Sequence, residues 1–231
     1  MTADFSVLIV CTGNVHRSAL ADELLATWAN WYLPAALASR VRIASAGTHP
    51  PVGAPMGRTV RSVADELGAE DRGHRAAPLT LELIESADLI LTAAREHRDE
   101  LLSLSPRVLR RTFTIREAGR IAGAVSPRVP GEDVEVSAGR ARTFAPTSIA
   151  ALRDTVAELD ELRSGYLDPS ADDVIDPEGR DATAIQEMVR QEVPALVRLA
   201  GTLLGMPSAD AAAYLQAVSQ CVSSRDRLRG G

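Results

Sequence analysis

Cys11 and Arg17 stand six positions apart in the run Val10-Cys11-Thr12-Gly13-Asn14-Val15-His16-Arg17-Ser18. A thiol and a guanidinium at that spacing suit one chemistry. The planar fork of arginine can hold two oxygens of a tetrahedral oxyanion, and a thiolate can attack the atom at its centre. Between them, Gly13 can take a positive φ and Asn14 tolerates one better than most residues. Such a turn can aim successive backbone N–H groups into one hollow, an anion nest. Thr12, Gly13, Asn14, Val15, His16, Arg17 and Ser18 are therefore the candidate phosphate-binding residues. The same positive field is expected to hold Cys11 as thiolate. A free thiol ionises near ~8.5, and comparable sites reach roughly 3.5–7.5. Ser18 can donate a hydrogen bond to the sulfur. The competing reading is a buried core cysteine beside a surface arginine, and a bare C-x5-R spacing does not separate the two.

The elements around the loop favour a site. Phe5 to Val10 is an apolar, β-branched run, as in a strand buried on both faces. After the loop, Leu20, Leu24 and Trp28 fall on one helical face with Ala21 and Leu25. Cys11 thus lies at the carboxyl end of a strand, where open α/β sheets bind ligands, and Arg17 opens a helix. Further strands are expected at Val41–Ser45, Ala87–Thr92 and Thr112–Ile115. Helices are expected at Met56–Leu67, Arg95–Leu104 and Arg116 to about Ala122. The alternation implies an α/β fold with a parallel, doubly wound sheet. From about Gly123 to Pro146 the pattern gives way to an irregular stretch. Helices return at Thr147–Leu162 and Asp181–Leu204, and Ser208 is expected to cap a last one. The chain reads as one domain over 1–231.

Composition narrows the classes. The 231 residues carry 25 basic and 31 acidic side chains, a net charge of -6, and every basic residue is arginine. An apolar share of 45% is ordinary for a globular protein. Two cysteines, Cys11 and Cys221, exclude a disulfide scaffold and a four-cysteine zinc site. The four histidines, at 16, 49, 74 and 97, do not pair at ligand spacing, so no metal or other cofactor is expected. No apolar run reaches the roughly 18 residues of a spanning helix. Met1-Thr2-Ala3-Asp4-Phe5 lacks a basic n-region, so the cytoplasm is the expected compartment. Net acidity argues against nucleic acid. The charge is uneven: residues 154–192 hold 12 acids and 3 arginines, a local -9, against +3 for the rest.

The run from Val10 to Ser18 resembles the signature of the low-molecular-weight protein tyrosine phosphatases. The likeness extends through Ser45-Ala46-Gly47-Thr48, His74, Ser86 to Leu91, Arg95-Glu96-His97-Arg98, and Asp176-Pro177 with the helix that follows. It implies a four-stranded parallel sheet with flanking helices, and phosphomonoester hydrolysis through a phosphocysteine without metal. It implies that Asp176 protonates the leaving oxygen and then serves as base; Asp168-Pro169 is the rival. By the same resemblance Asn14, Ser18, Ser45 and His74 form a network supporting the loop. Bacterial relatives often oppose a tyrosine kinase of exopolysaccharide assembly, so phosphoproteins of that kind are the implied partners.

Departures from the family pattern bear on the substrate. His16 stands where a second cysteine is usual, and Cys11 loses that shield. It either adds positive charge beside the phosphate or points to solvent. Pro51 and Glu178 occupy places where aromatic side chains wall the cleft. Ala93-Ala94 replaces a usual Met-Asp. Val15 fits the branched aliphatic residue that accompanies phosphotyrosine activity. Trp28, Trp31 and Tyr32 read as a core or helix-end cluster. Residues 123–171 form an insertion and 205–231 an extra C-terminal helix, in which Cys221 packs. Three readings stay open: a phosphatase acting on phosphotyrosine or a related monoester, an arsenate reductase that draws on a small cellular thiol, and a phosphoprotein-binding module with little turnover.

Overall fold

Four strands pair edge to edge in a computed structural model that describes residues 4–125 and 146–227. They are β1 (Phe5–Cys11), β2 (Val41–Gly47), β3 (Leu89–Thr92) and β4 (Thr112–Thr114), all parallel, in the order β2-β1-β3-β4. The helices are α1 (Arg17–Tyr32), α2 (Ala35–Ala38), α3 (Arg58–Glu66), α4 (Leu81–Ser86), α5 (Arg95–Leu104), α6 (Ile115–Val125), α7 (Ile149–Leu162), α8 (Ala182–Leu203) and α9 (Ser208–Arg227). The period of two along β1 splits the core. Phe5, Val7 and Ile9 face the larger cluster, which α1, α3, α6, α7 and α8 complete. Leu8 and Val10 face a smaller one with Ile84, Ile90, Leu101 and Val108. β1 and β3, buried almost throughout, read as continuous apolar runs, which is why they are visible in the sequence.

Several boundaries differ from expectation. Met56 is a buried core residue outside α3, and α6 begins at Ile115 and runs on to Val125. β3 starts at Leu89, and Ser208 is the first residue of α9, not its cap. α2 and α4 were not expected; four and six residues are too few to show a helical period. The rest of the irregular stretch, residues 126–145, lies outside the described residues, as does the side chain of Cys221. In the inserted segment, α7 is capped by Ser148 and buries Leu152 and Leu159 completely, so this part belongs to the core. Trp28 is fully buried and meets Tyr214 of α9 edge-on at 5.0 Å, as a core cluster would. α6 and α8 touch where a Cβ on Gly119 would lie 2.5 Å from the Ala195 carbonyl oxygen. Among the described residues no helix is long and apolar enough to cross a membrane.

Candidate active site

Cys11 ends the central strand, opposite Gly47 of β2. The loop after it is shaped by where its carbonyls go. Cys11 O accepts from Thr48 N (3.0 Å), Thr12 O from His49 N (2.9 Å), Val15 O from Gly57 N (2.9 Å) and His16 O from Leu20 N (2.9 Å). Asn14 O accepts from His74 Nε2 at 2.7 Å. In a trans peptide the N–H points opposite to the C=O. With these five carbonyls drawn outward, the amides of Thr12, Gly13, Val15, His16 and Arg17 are left for an anion. Gly47 must be glycine here, because a Cβ would meet Thr12 O at 2.5 Å. The left-handed residue is Asn14, at φ 51, and not Gly13.

Asn14 repays that conformation with hydrogen bonds. Its Nδ2 donates to Ser18 Oγ and to Ser45 Oγ, both at 2.9 Å, and its Oδ1 accepts from Ala77 N at 2.9 Å. Ser45 spends its own proton on Asp22 Oδ2 (2.9 Å). Ser18 Oγ, already an acceptor from Asn14, lies 2.9 Å from Cys11 Sγ, and it is the donor of that bond when the sulfur is a thiolate. Asn14 N donates to the same sulfur at 3.2 Å. The donors therefore run in one direction and converge on Sγ, where they stabilise negative charge. Asp22, whose ionisation burial opposes, is held by Arg72 as well as by Ser45.

Arg17, buried as the first residue of α1, faces the acid loop. Its Nη2 donates to Asp176 Oδ2 at 2.6 Å and to Thr12 Oγ1 at 3.3 Å, and Nη1 reaches Val174 O at 3.4 Å. Asp176 Oδ1 accepts from Glu178 N (3.1 Å), so both oxygens are engaged. Asp168 instead bonds Ser170 at the start of a short 3-10 turn. His16 is not turned to solvent. Its Nδ1 lies 3.2 Å from Glu178 Oε2, and a Cβ on Gly57 would meet its Nε2 at 2.5 Å. Burial pushes its pKa down against the pull of Glu178, so it adds little positive charge at neutral pH.

The structure thus brings Cys11, Arg17 and Asp176 together and joins Asn14, Ser18, Ser45 and His74 in one network. Two neighbours had no role assigned from sequence. His97 is buried, and its Nδ1 accepts the Ala94 amide at 3.1 Å, the reciprocal half of a capping box. Its Nε2–H therefore donates to Thr12 Oγ1 at 2.9 Å. Burial, then the Arg17 charge, lowers its pKa to about 4, which keeps that tautomer neutral. The only signal in the sequence was its place three residues into a helix. Glu192 of α8 is fully buried, and neither carboxyl oxygen has a partner among the described residues. A carboxylate in an amphipathic helix carries no mark of this. Among the described residues no group of three or more histidines, cysteines and acids could hold a metal ion.

The chain is similar to proteins of known kind. Low molecular weight protein-tyrosine-phosphatase Etp of Escherichia coli (strain K12) is 36% identical over 108 residues, covering 47% of this chain and 67% of that one. The protein-arginine-phosphatase of Bacillus subtilis (strain 168) is 31% identical over 113 residues, covering 48% and 70%. Among solved structures, the YwlE arginine phosphatase from Geobacillus stearothermophilus shares the fold with a TM-score of 0.53 at 24% identity. The two align over 86% of this chain and 92% of that one. The tyrosine phosphatase AmsI of Erwinia amylovora also gives 0.53, at 21% identity over 87% and 93%. The family model for low molecular weight phosphotyrosine protein phosphatases matches residues 6–122, half of the chain and all of its sheet but the first residue of β1. The chain belongs to that family.

Proposed function

We propose that this phosphatase hydrolyses phosphotyrosine in proteins through a phosphocysteine. The observation that carries the reading is the convergence of two donors on Cys11 Sγ, with Arg17 and Asp176 paired at 2.6 Å beside it. Sγ attacks phosphorus in line with the ester oxygen, forming an S–P bond as the P–O bond breaks. The loop amides and Arg17 hold the three remaining oxygens. Asp176 gives its proton to the leaving phenolate oxygen, a step typically worth roughly 10²–10⁴-fold. It then takes a proton from the water that cleaves the S–P bond, releasing phosphate and the thiolate. Phosphate must first take Arg17 from Asp176. Phosphoproteins are the proposed partners, an exopolysaccharide-assembly tyrosine kinase among them, in the cytoplasm.

The test is turnover of p-nitrophenyl phosphate and of a phosphopeptide panel by wild type, Cys11→Ser and Asp176→Ala. Activity that survives Cys11→Ser would sink the reading. One observation favours a second substrate. By the resemblance Pro51 and Glu178 stand where aromatic side chains wall the cleft, so neither of these two positions offers a phenol an aromatic face, and the Glu178 carboxylate beside His16 suits a guanidinium. Phosphoarginine peptides therefore belong in the panel, and a higher kcat/KM for them than for phosphotyrosine would replace the first reading.

A further inference from the structure

The chain leading to Asp176 is fastened residue by residue. Arg120 of α6 donates from Nη2 to Asp172 Oδ1 at 2.6 Å and from Nε to Tyr166 O at 2.8 Å. Asp173 is held most heavily. Its Oδ1 accepts the backbone N–H of Arg95 at 2.8 Å and Arg95 Nε at 3.2 Å. Its Oδ2 accepts Arg95 Nη2 at 2.9 Å and Nε at 3.2 Å, and its carbonyl accepts Arg116 Nη1 at 2.9 Å. Val174 N then donates to Ala93 O, just past β3, at 2.8 Å. Ile175 N donates to Gln191 Oε1 of α8 at 2.8 Å. The next residue is Asp176.

Arg95 is the first residue of α5, so the Asp173 carboxylate sits on a helix N-terminus as well as in a guanidinium fork. Both side chains are about two-fifths exposed, at 42% and 43%. An ion pair that exposed adds little to global stability. Its effect is local: it fixes the backbone three residues before the acid to the start of α5.

We propose that Asp173, clamped by Arg95, is the positioning residue of the acid loop and sets where the Asp176 carboxyl stands. The proposal rests on the reading of Asp176 as the acid. Asp173 touches neither substrate nor the reacting atoms. A displacement of about 1 Å in a catalytic group can cost 10²-fold, so opening the clamp acts on the proton-transfer step.

The experiment compares phenyl phosphate, whose leaving group ionises near ~10 like tyrosine, with 2,4-dinitrophenyl phosphate, whose leaving group needs no proton. Asp173→Ala should lower kcat/KM, which reports the step that breaks the P–O bond, by about 10–100-fold on phenyl phosphate and by less than about 3-fold on the dinitrophenyl ester. Arg95→Ala should show the same pattern, weaker because the Arg95 amide remains. The double variant should be no worse than Asp173→Ala, as expected for two parts of one unit. An equal fall on both esters, or no fall, would overturn the proposal. Hydrogen exchange supplies a readout that needs no turnover: the Val174 and Ile175 amides should exchange at least about 10-fold faster in Asp173→Ala, with β1 unchanged. Unaltered exchange there would also overturn it. If Asp176→Asn fails to discriminate between the esters, the acid assignment falls and the proposal with it. If wild type turns over neither ester, the phosphatase reading fails, and the exchange rates alone decide the clamp.

Discussion

Replacing Glu192 with methionine should stabilise the protein, by an amount that grows with pH. Glu192 is fully buried in α8 with both carboxyl oxygens unpartnered among the described residues. Burial raises its pKa well above the ordinary carboxyl value, and the Arg17 charge opposes this only in part. A buried polar group without a partner costs about 1–3 kcal/mol. Methionine is unbranched, adapts to the same volume and has no such group. The pH dependence follows from where the proton sits. The unfolded carboxyl ionises near ~4.3, and the folded one only at higher pH. Above ~4.3 unfolding therefore releases a proton. The Glu192 contribution to stability is greatest below that pH and falls by up to about 1.4 kcal/mol per unit until the folded pKa is passed. The methionine variant lacks this contribution. Urea unfolding at steps from about pH 4.5 to 8 should show a gap near 1 kcal/mol at the acid end that widens upward. A gap constant with pH, or a variant less stable throughout, would refute the reasoning.

Other perturbations test other parts. Asn14→Ala removes three side-chain hydrogen bonds and leaves an alanine at φ 51. It should cost about 3–5 kcal/mol in urea unfolding, and a loss under about 1 would show that the network does not hold the loop. His97 has a pKa lowered to about 4. The unfolded chain thus binds the extra proton between ~6.5 and about 4, and stability present above ~6.5 is lost as the pH falls through that window. His97→Gln, which keeps a capping side chain, should flatten the slope there; an unchanged slope counts against the assigned tautomer. Gly119→Ala pushes a Cβ onto the Ala195 backbone and should cost about 1–3 kcal/mol despite alanine's better helix propensity, so a raised Tm would contradict the packing. Glu178→Gln should improve kcat/KM for acid-flanked phosphopeptides by about 1.5–5-fold at low salt, an effect that vanishes at high salt. Equal gains for basic flanks would exclude an electrostatic cause.

What the sequence discloses depends on how far apart the cooperating residues lie. Cys11 and Arg17 share one loop, so their spacing and the strand and helix on either side expose them. Strands buried on both faces write themselves as apolar runs. His97 and Glu192 come to the site from two helices far along the chain, and topology alone makes them neighbours. The positive φ shows the same limit. Gly13 and Asn14 can both adopt it, and the choice falls to Asn14, whose side chain bonds Ser45 and Ala77 far along the chain as well as nearby Ser18. Short helices such as α2 and α4 leave no period to read.

Charge is where composition misleads most. Counted along the chain, residues 154–192 carry -9 against a +3 remainder, which suggests an acidic lobe repelling anionic substrates. In the folded protein those acids meet the arginines of the body. Asp160 pairs with Arg110, Asp172 with Arg120, Asp173 with Arg95 and Asp176 with Arg17. Much of the asymmetry is thus the attachment of the acid-bearing segment to the sheet. At the rim Glu178 remains, facing a histidine that burial keeps from protonating. Electrostatic selection then rests on that carboxylate and on the contest for Arg17. A phosphate dianion offers twice the charge of Asp176 and can also draw on the loop amides, so it should win the guanidinium. On the proposed reading the displaced carboxylate, freed from the guanidinium, takes a proton from solvent and stands as the acid beside the leaving oxygen.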